Sequence, residues 1–143
     1  MRVDKTPLKN AVAGVGAQPG YVKNDATVTN AVNAANALIL SPNPSLIDVK
    51  NAIQNLNSAI NAAKAAEQVR QATANTALDT AKAQKTPSSF ADTQAKINAL
   101  QDLDKKSVLQ GELDQLKQEY NTKKADLQST LDREIIHKQS MVS

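Results

Sequence analysis

Apolar positions recur at intervals of three and four along most of this chain, the signature of helices with one buried stripe. Thr6-Pro7 marks the first start, with Thr6 as the capping residue and Pro7 at the first helical position, where its missing N–H costs nothing. Leu8, Ala11, Val12 and Val15 follow at helical spacing, and Gly14, Gly16 and Pro19-Gly20 end the element. Asn24 or Asp25 caps a second helix, whose stripe is Val28, Ala31, Val32, Ala35, Leu38 and Ile39. Ser41-Pro42-Asn43-Pro44 breaks it, and Ser45 with Asp48 resembles a capping box that opens a third.

From Ser45 to Thr86 there is neither glycine nor proline, so the pattern predicts a single helix of about 60 Å at 1.5 Å per residue. Its seam is Leu46, Val49, Ile53, Leu56, Ile60 and Ala63; Glu67 and Arg70 then interrupt it before Ala74, Leu78 and Ala81 resume. A junction between two modules is expected there, with the seam exposed where the helix changes neighbours. Pro87-Ser88-Ser89 restarts the chain into a fourth helix through Phe90, Ile97 and Leu100. After a turn near Gln101 to Asp104, a fifth runs to about Lys138 along Leu109, Leu113, Leu116, Tyr120, Leu127, Leu131 and Ile135. Lys123 interrupts this last seam, and the spacing drifts to four beyond it, so a change of contact is expected at that point.

The stripes repeat. Val28, Ala35 and Leu38 stand 62 positions before Phe90, Ile97 and Leu100, while Val49, Ile53, Leu56 and Ile60 stand 60 positions before Leu109, Leu113, Leu116 and Tyr120. A second copy with a shorter inter-helix loop gives this pattern. The reading is therefore all-α: two consecutive three-helix bundles sharing a long central helix, elongated, with module 1 over residues 5–68, module 2 over 69–138 and a disordered tail over 139–143.

Composition sharpens this picture. Phe90, Tyr21 and Tyr120 are the only aromatic residues, so the core is thin and suits closely packed helices, not sheets. Residues 1–65 carry six Lys/Arg against three Asp/Glu, and residues 66–143 carry eleven of each, so neither half is a basic patch and no nucleic acid is expected as a partner. Without cysteine there is no disulfide framework and no thiolate chemistry. No apolar run approaches 18 residues, so no membrane insertion is expected, and Met1-Arg2 leads into a helix start instead of a secretory signal.

Candidate chemistry is sparse. His137 is the only histidine and has no second imidazole or thiol to complete a zinc set of about four ligands, so a surface position near a helix end is the expected role. Asp102 and Asp104 are too few for calcium, which takes about six to eight oxygens, and are expected to cap a helix. Asp132 and Glu134, two apart on a helix, diverge and cannot flank a scissile bond. Glu119 with Lys123 and Glu134 with Lys138 have the order favoured on solvated helix faces. Asn30, Asn33, Asn51, Asn55 and Asn61 could form a polar ladder for a glycan, and Asn43-Pro44-Ser45 is blocked for glycosylation by its proline. No catalytic, cofactor-binding or metal-binding residue is assigned, no cofactor is expected, and the binding residues stay unassigned.

Ala95-Lys96-Ile97-Asn98-Ala99-Leu100, a short Asp-containing turn, then Lys106, Leu109 and Leu113 resemble the helical hairpin of small repeat modules in Gram-positive surface and secreted proteins, including the group called FIVAR. The stretch from Val32 to Leu38 and on through Ile53 and Leu56 is similar, and the resemblance covers residues 5 to about 131. Gln101-Asp102-Leu103-Asp104 stands where many such modules carry Pro-Asp-Gly, and the chain has no tryptophan. The resemblance implies three-helix bundles in tandem, placed outside the cell between a distal domain and the cell wall. A non-enzymatic, monomeric spacer is thus expected, with neighbouring modules of its parent protein as partners and its signal and anchor outside this segment. An adhesin module for a host protein or carbohydrate is one alternative. An oligomeric coiled coil of a phage or secretion apparatus, joined along the Leu109 to Ile135 seam, is the other.

Overall fold

A computed structural model of the protein describes residues 2–142, which form six helices and, among the described residues, no strand. These are α1 (Thr6–Gly16), α2 (Gly20–Lys23), α3 (Ala26–Leu40), α4 (Leu46–Gln84), α5 (Pro87–Asn98) and α6 (Leu103–Val142). The chain divides into two compact units, Met1–Arg70 and Gln71–Ser143. The sequence reading set that division between residues 68 and 69.

In the first unit side-chain bonds mark the starts of α1, α3 and α4. Thr6, expected as the cap of α1, is already helical; the N-cap is Lys5, which makes no side-chain cap bond, and Asp4 just before it accepts the Thr6 N–H at 2.9 Å. The Thr6 N–H bond holds the Asp4 carboxyl below its usual value of 3.8. Asp25, not Asn24, caps α3, accepting from the N–H groups of Thr27 at 2.9 Å and Val28 at 3.2 Å. Ser45 Oγ accepts the Asp48 N–H at 3.0 Å and opens α4. At the other end of α3, Lys5 Nζ donates to the carbonyl of Ile39 at 2.8 Å and to that of Ser41, which ties the start of α1 to carbonyls that a helix end leaves open.

The core of this unit joins Leu8 and Val15 of α1, Val28 and Ala35 of α3, and Val49, Ala52, Leu56, Ala59 and Ala63 of α4. Val22 joins them from α2, a single turn after Pro19 that the sequence pattern did not show. Three alanines on α4 let the helix backbones approach, and they move the centre of its stripe. Ile53 and Ile60 consequently sit half-buried at its edge, while Leu56 is fully enclosed.

The second unit repeats this plan. Ala74, Leu78 and Ala81 of α4 pack with Phe90 and Ile97 of α5, Leu100, and Leu109 and Leu113 of α6. Leu8, Val12 and Val15 stand 66 positions before Ala74, Leu78 and Ala81, so the later part of α4 takes the place that α1 holds in the first unit. Leu113 is fully buried; Leu116 and Tyr120 are half-buried, and the Tyr120 ring meets Phe90 edge-on at 5.6 Å and 81°. Each fully buried leucine or isoleucine contributes roughly 1.5–3 kcal/mol of stability.

Polar bonds fix the register of the second unit's helices. Thr93, fully buried, donates its hydroxyl at 2.8 Å to the Ser89 carbonyl, with the Ala77 carbonyl of α4 also within reach at 3.0 Å. Gln94 and Gln110 exchange amide bonds of 2.7 and 2.9 Å between α5 and α6. Asn98 and Asp114 extend the pair, each at 2.9 Å. Thr86 and Ser89 form a reciprocal capping box at the start of α5.

Two expectations are corrected here. Glu67, read as an exposed crossover position, is only 1% exposed, and its carboxylate accepts from Arg70 Nε at 2.8 Å. A buried carboxylate is tolerated when such a partner holds it, and Arg70, three residues on, keeps its own side chain partly in water. Of residues 139–143, expected as a disordered tail, 139–142 continue α6, which meets no proline and no glycine after Gly111, and Ser143 lies outside the described residues.

Candidate functional site

α6 has 40 residues against the 12 of α5, so it outruns the helix that packs on it. From Asn121 through Val142 every described side chain is exposed. Leu127, Leu131 and Ile135, which the sequence reading assigned to one seam with Leu109 and Leu113, are 71%, 51% and 45% exposed and belong to no core. They nevertheless lie on the same face. Leu127 follows Leu109, and Leu131 follows Leu113, by 18 residues, which is five helical turns. The apolar stripe thus runs straight out of the second unit's core into solvent, with Lys124 and Lys138 along it and Glu134 on its flank.

A second feature is an open groove of about 700 Å³ along α4 and α5, lined by Ala72, Thr76, Thr80, Ser89, Asp92 and Lys96 among others. The Thr76 and Thr80 hydroxyls donate to the Ala72 and Thr76 carbonyls at 3.0 and 3.1 Å, so both are engaged within the helix wall. The sequence carried a trace of this groove, since Ala72, Thr76 and Thr80 recur every four residues beside the core stripe. Small hydroxyl residues at that spacing do not stand out from an ordinary helix surface.

The residues singled out from sequence are scattered. His137 is exposed on α6, five residues before Val142. Asp102 accepts the N–H groups of Asp104 at 3.1 Å and Lys105 at 3.4 Å, the capping role expected of it, and Asp104 lies in the first turn of α6. Asp132 and Glu134 are exposed, as are Glu119, Lys123 and Lys138. Asn30, Asn33, Asn51, Asn55 and Asn61 are all exposed on α3 and α4. Among the described residues no three of His, Cys, Asp and Glu come together as a metal-ligand group, and no helix is long and apolar enough to cross a membrane.

Set against known proteins, the chain matches no family model, no curated protein and no solved structure.

Proposed function

We propose that this chain is a non-catalytic spacer or scaffold segment of a larger cell-surface protein, as its resemblance to FIVAR-like modules implies. The observation that carries the reading is that one helix serves two cores: α4 supplies Val49 to Ala63 to the first unit and Ala74 to Ala81 to the second. The backbone that joins the two units is helical through Leu46–Gln84, with no Gly/Ser-rich linker between them. Ala-rich cores, exposed asparagines and dispersed charges add to this reading, because none converges on a point where a reacting group would be held.

The adhesin reading draws on the groove along α4 and α5, which has the volume of a small-molecule or side-chain site. One experiment separates the two. The purified chain is passed over immobilised wall polysaccharide and over matrix proteins, beside a variant with Thr76 and Ala95 enlarged to Arg. A spacer shows no saturable retention on any surface. Saturable retention that the groove variant loses would overturn the spacer reading in favour of the adhesin.

A further inference from the structure

We infer that the exposed half of α6 pairs with the same segment of a second copy of this chain, antiparallel, with Leu127 of each copy against Leu131 of the other. The stripe of Leu127, Leu131 and Ile135 is a direct continuation of a buried one, exposed on a helix that continues for about six turns beyond the core of its unit. Charge chooses the occupant and the direction. In a parallel, in-register pair Lys124 faces Lys124, Glu134 faces Glu134 and Lys138 faces Lys138, all like with like. An antiparallel pair centred on Leu131 is no better, because it sets Lys124 against Lys138.

Sliding the antiparallel pair by two residues, so that its centre is Ser129, removes the conflict. Leu127 then meets Leu131 twice, Glu134 falls opposite Lys124 and next to Lys123 of the other copy, and Lys138 falls opposite Tyr120 beside Glu119. Two-fold symmetry makes each of these contacts twice, as a closed interface between identical chains requires. Leu109 and Leu113 are already enclosed within their own unit. The pairing therefore starts near Glu119, beyond the enclosed part of the seam.

Sedimentation equilibrium of the full chain from micromolar to millimolar concentration tests the pairing. The mass is expected to rise from 15.2 kDa toward twice that value. Leu131→Asp should abolish the rise while circular dichroism stays unchanged, because the residue lies outside both cores. Glu134→Lys should weaken association about tenfold or more, as like charges set face to face do. Combining it with Lys123→Glu and Lys124→Glu should restore it. For direction, a spin label on a single cysteine at Gln118, which lies opposite Ser140 in this register, should report a separation of about 33 Å or more along the axis. A chain that stays monomeric throughout, a dimer indifferent to Leu131→Asp, or labels at Gln118 held within about 20 Å as parallel pairing requires, would each overturn the proposal.

Discussion

Lys85 closes α4 with a φ of 52°, the left-handed conformation that a helix end favours and a side chain resists. For a residue with a Cβ this conformation costs roughly 1–2 kcal/mol, because Cβ crowds the carbonyl oxygen that follows. Glycine escapes the crowding but gives the unfolded chain more freedom, which returns roughly 0.5–1 kcal/mol. Nothing else changes: the residue-85 N–H still donates to the Ala81 carbonyl at 2.8 Å, the Lys85 side chain is exposed, and the Thr86–Ser89 capping box is untouched. Lys85→Gly is therefore expected to stabilise the second unit by about 0.5–1 kcal/mol. At about 4–8 °C per kcal/mol for a unit of this size, its midpoint should rise by roughly 2–8 °C. Thermal and urea melts followed by circular dichroism read the change. Lys85→Ala separates loss of the lysine side chain from relief of the backbone, and should stay within about 0.5 kcal/mol of the parent. A Lys85→Gly chain that unfolds earlier than the parent, or one matched by Lys85→Ala, would refute the reasoning.

Other outcomes follow from the same packing. Leu56→Ala and Leu113→Ala should each cost about 2–5 kcal/mol in urea melts, whereas Leu127→Ala should cost less than about 0.5 kcal/mol in dilute solution. Thr86→Ala removes one half of the capping box and should lower stability by about 1 kcal/mol, with Thr86→Ser recovering most of it. Asp4 should titrate below 3.8 when its carboxyl is followed by NMR. Its pKa is lowered in the folded chain, so the contribution of its bond to Thr6 is present above 3.8 and is lost as pH falls through the folded value. Asp4→Asn should remove that pH dependence.

Helix boundaries were the most legible feature of the sequence, because they are written in local chemistry. Pro7, Pro19, Pro42, Pro44 and Pro87 punctuate the chain where elements change, and Asp25 and Ser45 cap as their side chains dictate. The bond from Thr6 N–H to Asp4 was missed because Thr6 is itself a good capping residue and drew the helix start one residue too late. The single turn α2 carries one buried residue, Val22, too little for periodicity to register.

Core membership was harder to read than boundaries. Alanine fits a core or a surface equally well, so the pattern placed Ala63 in the seam but favoured Ile53 over Ala52 and could not see that Ala52 and Ala59 shift the stripe. Glu67 looked like a surface residue because the pattern does not show that Arg70, one turn on, holds its carboxylate. The α6 stripe is the clearest limit of this kind of reading. Leu109, Leu113, Leu127 and Leu131 obey one periodicity, but only the length of α5 decides which of them a neighbour reaches. The groove along α4 and α5 is made by two helices together, so the four-residue spacing of Ala72, Thr76 and Thr80 on one of them shows only part of it.

The central claim is that α4 is one helix feeding two cores, and native-state hydrogen exchange, followed amide by amide from Leu46 to Gln84, tests it most directly. The account predicts continuous protection through the stretch between Lys64 and Thr73, including the amides around the buried Glu67. Amides there that exchange at the rate of an unstructured peptide, with protection confined to separate segments on either side, would contradict it.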